Sequence, residues 1–327
     1  MPDNFVHFGD VEPRPGFLRA WERAKNRHAL WFAECFAEFL GVFIFTVVGT
    51  GATLAYNLGS IAKLTGIGSL FSVGLSYVVG ITLAVVICAP VSGAHLSPGV
   101  TIAAVIFKGF SPFKAVRYVI AQILGSFVAC LVVYVQYHEQ IKAATHALKL
   151  QGTFDRINFT AHGIAGSFAM YAPVGSSLKY VFFNEFVCTF LLGMVIWACI
   201  DPTNFYVPTS LLPVYIALGY GMIIWAFDPA GLATNTARDV GGRMMAIAVW
   251  GPEASGGAYA AIAALTNILA ICVALVVYEA LFADSSRVIS PDRRIQLGAK
   301  MAESEHRNGR STTNVSESYG STEKVNA

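Results

Sequence analysis

The sequence predicts an all-α membrane protein with six transmembrane helices and two re-entrant half-helices, arranged as two inverted repeats. Three observations lead there. The 327 residues are 55% hydrophobic and 13% charged, with a mean hydropathy of +0.57, more apolar than a soluble domain of this length. Apolar runs near 33–56, 67–89, 113–137, 179–200, 207–227 and 257–282 each approach the roughly 20 residues that a helix needs to cross a bilayer. Two further apolar segments, 97–107 and 235–250, are too short. At 1.5 Å per residue, about ten residues reach about 15 Å, half of the hydrocarbon core.

Residues 1–29 carry Arg14, Arg19, Arg23, Lys25 and Arg27 ahead of the first span. That span is too long for a signal peptide and has no small-residue cleavage site, so it is retained. Six spans put both termini on one side. The basic residues at 14–27, 108–117 and 287–300 assign that side to the cytoplasm. Residues 138–178 then face outside, in agreement with an N-glycosylation acceptor triplet at Asn158-Phe159-Thr160. A second triplet, Asn314-Val315-Ser316, stays unused in this topology. From Asp284 the chain is rich in Ser, Asn, Glu, Arg and Thr and reads as a disordered cytoplasmic tail over 284–327, leaving 30–283 in the membrane.

The formal net charge of +2 is too small to attract nucleic acid. Cys35, Cys88, Cys130, Cys188, Cys199 and Cys272 all lie in apolar segments without metal-type spacing, so they read as packing residues, with no disulfide framework and no metal site.

Both short segments begin with helix-entry chemistry. Ser97 caps the first, with Pro98 at the first helical position, and Asn235 caps the second. Glu38-Phe39 recurs as Glu185-Phe186, and Ser97-Pro98-Gly99 corresponds to Asn235-Thr236-Ala237. The repeats cover about 30–137 and 178–283. Three spans per repeat invert the second copy, so the half-helices enter from opposite faces and their positive N-terminal ends meet at the centre.

The pieces AEFLGVFIFTVVGTGA at 37–52, SGAHLSPGVTIAA at 92–104, AQILGS at 121–126, NEFVCTFLL at 184–192 and NTARDVGGR at 235–243 resemble the major intrinsic proteins, the aquaporins and aquaglyceroporins. This resemblance implies an aquaporin-like homotetramer in the plasma membrane, each subunit a passive channel for glycerol, water and other small neutral solutes, with no cofactor. It places Ser97, Pro98, Gly99, Asn235, Thr236 and Ala237 at the pore centre, where the family has two Asn-Pro-Ala triplets. Arg238 matches the family's selectivity-filter arginine. Counting without gaps from the two triplets adds Tyr77, Leu232 and Ile223 to the filter. Gly93, Ala94, His95, Gly231, Leu232 and Ala233 match the stretches whose carbonyls line the path.

Asp239 and Arg243 match positions where the glycerol-conducting branch favours an acid and a base. Residues 259–275, by contrast, have neither the proline of that branch nor the aromatic pair of the water branch.

Glu38 and Glu185 are intramembrane carboxylates, read either as ion ligands or, preferentially, as acceptors for backbone N–H groups of the re-entrant loops. Asp239 is read as a brace for local backbone, and His95 as a brace or a protonation gate. No GxSxG elbow, HExxH pair or phosphate-cradling glycine loop is present, so no catalytic residue is assigned. The rival readings are a water-selective or non-conducting relative and, from another class, a secondary transporter built on the same kind of inverted repeat.

Overall fold

In the computed structural model, which describes residues 5–307, all regular structure is helical. The helices are α1 (Phe8–Val11), α2 (Gly16–Ala24), α3 (Leu30–Ile61), α4 (Leu70–Ser92), α5 (Pro98–Lys108), α6 (Pro112–Gln136), α7 (His138–Leu150), α8 (Phe154–Asn158), α9 (Leu178–Ile200), α10 (Leu212–Phe227), α11 (Thr236–Trp250), α12 (Tyr259–Leu281) and α13 (Pro291–Arg307). Six helical segments among the described residues are long and apolar enough to cross a membrane, and they coincide with the spans read from the sequence. The short helices α5 and α11 are the two half-spans.

Local chemistry sets the helix ends. A capping box opens α4, where Ser69 Oγ accepts the Ser72 N–H at 3.1 Å and Ser72 Oγ accepts the Ser69 N–H at 2.8 Å. Proline opens α5 and α6, where the missing N–H costs nothing. Gly93, with φ at 89°, closes α4 in the left-handed region that glycine enters without a Cβ clash.

The described residues fall into two compact units, one of 5–30, 201–209 and 285–307, the other of Trp31–Ile200 and Ser210–Asp284. Within the larger unit the halves exchange partners. Half-helix α5 packs on α12 as well as on its neighbour α6, and α11 packs on α6 as well as on its neighbour α12. Close approach demands small residues there: a methyl on Gly241 of α11 would overlap the Ile123 carbonyl and Ser126 of α6.

The smaller unit corrects one expectation. The composition from Asp284 predicts a disordered tail, yet α13 occupies Pro291–Arg307, with an acidic Asp292 in its first turn. Ser290 N donates to the Pro202 carbonyl at 2.9 Å just ahead of it, and the His7 and His306 rings stack at 4.2 Å. A polar helix carries no apolar run to reveal it in a composition scan. The Asn314 triplet lies outside the described residues. In the segment 138–178, α7 buries Ile141 and Leu148, one seam of an otherwise polar helix.

Candidate functional site: two half-helix entrances and a lined cavity

The entrances are suspended from two buried carboxylates. Glu38 Oε1 accepts Ser92 Oγ at 2.7 Å and His95 N at 2.9 Å, while its Oε2 accepts Leu96 N and Gln122 Nε2, both at 2.8 Å. Glu185 repeats the pattern more sparsely, accepting Ala233 N and Thr234 N, both at 2.6 Å. Both side chains are fully buried. Aligned by their caps, Leu96 and Thr234 are equivalent, and so are His95 and Ala233. Leu96 and Thr234 also share a left-handed backbone, with φ at 51° and 57°. Each glutamate therefore stabilises a strained, non-helical turn whose N–H groups would otherwise be orphaned.

Asn235 joins the halves. Its Oδ1 accepts Ala237 N at 2.9 Å and Arg238 N at 3.3 Å, capping α11, and its Nδ2 donates to the Leu96 carbonyl at 2.9 Å. Ser97 makes no side-chain cap bond, contrary to the reading that both residues cap. A hydroxyl has no second arm like the amide's to reach the facing loop. The donors that remain at the start of α5 are reduced by Pro98, which has no N–H.

A cavity of about 370 Å³ opens beyond these entrances, with Tyr77, Leu232, Asn235 and Arg238 among its walls. Arg238, 2% exposed, donates from Nε to the Tyr77 hydroxyl at 3.1 Å, from Nη1 to the Phe168 carbonyl at 2.7 Å, and from Nη2 to the Ser167 carbonyl at 3.1 Å and Thr50 Oγ1 at 3.4 Å. A guanidinium has five N–H donors, so these four bonds leave one, on Nη1. Among the described residues no carboxylate pairs with Arg238. Asp239 pairs instead with Arg243, through Oδ1 to Nη2 at 2.6 Å and Oδ2 to Nε at 3.2 Å. Arg243 also donates to the Ser255 carbonyl at 3.0 Å and the Met170 carbonyl at 2.8 Å. The buried Asp239–Arg243 pair thus ties α11 to the segments before α9 and α12.

The Tyr171 hydroxyl, which donates to the Ala254 carbonyl at 2.9 Å, fixes the same region. Burial pushes its pKa up to about 12. Asn57 secures the loop below, the two hydrogens of its Nδ2 shared among the Ala161 carbonyl at 3.2 Å, the Gly163 carbonyl at 3.1 Å and Ser167 Oγ at 2.9 Å.

Several expectations are revised. Ile223 is fully buried and packs with residues of α9 and α12 such as Ile196 and Ile271. Tyr220 and Ile224 face the cavity in its place. The ungapped count fails because the turn Asp228–Ala230 intervenes between α10 and the cap. Of the second triplet, Asn235 and not Ala237 reaches the cavity: Ala237 is fully buried, and the Thr236 hydroxyl turns to the Ala264 carbonyl at 2.7 Å.

The Gly231 carbonyl accepts Asn184 Nδ2 at 2.9 Å, which leaves it one lone pair. The Ala233 carbonyl accepts both Thr234 Oγ1 and Asn235 N, which leaves it none. Among the described residues the carbonyls of Gly93, Ala94, His95 and Leu232 receive no protein donor. Asn158 is fully buried, with its Oδ1 accepting Ala165 N, so the acceptor triplet is closed to modification in the folded chain.

His95 is braced. Its Nδ1 lies 3.2 Å from Thr101 Oγ1, and its ring packs on Phe110 and Tyr118. Thr101 Oγ1 spends its own proton on the Ser97 carbonyl at 2.9 Å and accepts Gln122 Nε2 at 3.1 Å. With the Thr101 proton on the Ser97 carbonyl, His95 Nδ1 is the donor of this pair; with that proton turned to the ring, Nδ1 is the acceptor. Thr50, Asn57, Gln122 and Asn267 were not singled out in the sequence. Their signal was available as polar residues inside apolar spans.

Residues 25–255 match the profile of the Major intrinsic protein family. Aquaporin-3 of Laccaria bicolor is 46% identical over 287 residues, covering 87% of each chain. The glycerol uptake facilitator protein of Pseudomonas aeruginosa is 32% identical over 259 residues, covering 77% of this chain and 89% of that protein. Among solved structures, the aquaglyceroporin from Plasmodium falciparum superposes with a TM-score of 0.66 at 24% identity, covering 77% of this chain and 97% of that one, a likeness of fold.

Proposed function

Because the chain belongs to the major intrinsic protein family, we propose that it is a passive multi-pass membrane channel for glycerol, other small neutral solutes and water that excludes ions and protons. The observation that carries this reading is the Arg238 guanidinium. It lines the cavity with one N–H left over and, among the described residues, no carboxylate ion-paired to it, although Asp228 is another wall of the same cavity. A hydroxylated solute can take that donor, whereas a cation meets the guanidinium charge and the positive ends of two half-helices. Leu232 and Ile224, lining the same cavity, offer apolar surface to a carbon backbone. The names of the relatives support both solutes, and the Asp239–Arg243 pair is consistent with the glycerol branch.

In this reading, residues 30–283 form the channel domain and Tyr77, Ile224, Leu232 and Arg238 form the filter. Asn235 and Ser97 face each other at the centre, and the carbonyls of Gly93, Ala94, His95 and Leu232 serve as the ladder. Glu38, Glu185 and Asp239 hold the loops. Both termini lie in the cytoplasm, the membrane is the plasma membrane, and four identical subunits assemble, each with its own pore.

Stopped-flow light scattering on proteoliposomes tests the reading by comparing shrinkage in an impermeant osmolyte with the re-swelling that follows glycerol entry. Fast, non-saturating glycerol entry with weak temperature dependence is expected. Water flow alone would assign the water branch, saturable flux would indicate a carrier, and no flow would indicate a non-conducting member.

A further inference from the structure

Pro98 and Thr236 occupy the same place, the first helical residue after the cap, in the two half-helices. Proline brings no N–H to that position. Thr236 does bring one, and an N–H in the first turn has no acceptor within its own helix. With Thr236 only 8% exposed, water is a poor substitute.

The acceptor comes from the sixth span. Thr236 N donates to Asn267 Oδ1 at 3.3 Å, and Thr236 Oγ1 lies 2.7 Å from the same oxygen and 2.7 Å from the Ala264 carbonyl. Asn267 is fully buried, and its Nδ2 donates to the Ala263 carbonyl at 2.7 Å. That bond fixes the amide with its oxygen toward Thr236. Asn267 also bounds the other half-helix, since a Cβ built on Gly99 would stand 3.3 Å from the Asn267 backbone oxygen.

We propose that Asn267 is a positioning residue for the pore, supplying the acceptor that Thr236 requires and thereby setting the second half-helix against α12. The proposal rests on the channel reading above. Asn235 precedes Thr236 by one residue and Arg238 follows it by two, so a shift at Thr236 moves both the amide that bridges to Leu96 and the guanidinium that faces the solute. In a single-file path a solute touches several walls at once, and small displacements of one wall are felt.

The backbone supplies the control. Asn235 has φ −142° and ψ 113°, close to Ser97 with φ −153° and ψ 132°, which already precedes a proline. Both lie in the extended region that a residue before proline adopts. Thr236→Pro therefore suits the backbone of the cap, and it deletes the donor that makes Asn267 necessary.

The test compares the native protein, Asn267→Leu, Thr236→Pro and the double variant in proteoliposomes, with glycerol entry normalised to incorporated protein. Asn267→Leu is expected to lose at least about fivefold in glycerol entry, and the double variant to return to within about twofold of Thr236→Pro. A double variant as impaired as Asn267→Leu overturns the proposal, as does an Asn267→Leu channel equal to native. If Asn267→Leu incorporates poorly, incorporation becomes the readout: recovery in the Thr236→Pro background supports the lock, and failure to recover overturns it. Should the native protein pass no glycerol, the glycerol reading fails separately. Hydrogen exchange of the 232–243 peptide then decides, with faster exchange in Asn267→Leu supporting the lock and unchanged exchange overturning it.

Discussion

Arg238 Nε donates to the Tyr77 hydroxyl at 3.1 Å, and the Tyr77 ring in turn lies against Gly49, where an added methyl would overlap it. The glycine on α3 therefore determines where the tyrosine sits, and the tyrosine helps to orient the guanidinium. Gly49→Ala is expected to push the ring into the cavity, lowering glycerol entry several-fold and water flow less, because the smaller solute needs less width. Parallel swelling and shrinkage measurements decide, and equal loss of both fluxes would contradict a steric cause.

Removing the charge itself has a different signature. Arg238→Ala takes away the unpaired cation and leaves the Phe168 and Ser167 carbonyls without their donors. Glycerol entry should persist or rise while a proton leak appears that the native protein lacks. A pH-sensitive dye inside vesicles held at a potassium diffusion potential measures the leak. A tight Arg238→Ala channel would remove the guanidinium from the account of ion exclusion.

Glu38 and Glu185 are equivalent by position but unequal in burden, four donors against two. A glutamine keeps one acceptor oxygen and turns an NH2 toward the donors of the other. Glu38→Gln thus orphans two bonds and Glu185→Gln one, at about 1–3 kcal/mol for each buried group left unsatisfied. Thermal unfolding in detergent should show a loss for Glu38→Gln about twice that for Glu185→Gln. The reverse order would indicate that the second loop is the more fragile.

These contacts also show what a sequence can carry. The spans and half-spans were legible because an apolar run has a length and the bilayer has a thickness. The suspension by Glu38 and Glu185 was legible because a carboxylate repeated at equivalent places inside apolar helices calls for donors. Ile223 was misplaced by counting through the turn Asp228–Ala230, whose geometry no spacing reveals. Helix α13 was missed because its sequence is polar throughout much of its length and composition alone cannot separate such a helix from a coil. Asn57 meets the 161–167 loop, Gln122 meets side chains of α3 and α5, and Asn267 meets Thr236 of α11, partners that only the tertiary packing brings together.

Asn158 offers a test of the loop fold. Its side chain is fully buried beneath the segment that Asn57 holds, so expression in a glycosylating eukaryotic host should yield protein whose gel mobility does not change on enzymatic deglycosylation. A shift that disappears in Asn158→Gln would mean that the triplet is modified before the loop closes over it, so that burial in the folded state does not protect it.

The Asp239–Arg243 pair is the last case, and its two single variants should not simply add. Both side chains are buried, and breaking a buried pair from one side typically costs about 3–5 kcal/mol because a charge is left uncompensated. Arg243 retains the Ser255 and Met170 carbonyls when Asp239 is lost, whereas Asp239, losing Arg243, loses the only cation paired with it among the described residues. Arg243→Leu should therefore destabilise more than Asp239→Leu, and the double variant should recover part of the loss, since removing both charges leaves nothing uncompensated. Lysine is no substitute, because one ammonium cannot span both carboxylate oxygens and two separate carbonyls. Unfolding midpoints in detergent for the cycle and for Arg243→Lys measure this, and strictly additive losses would show that the two residues act apart.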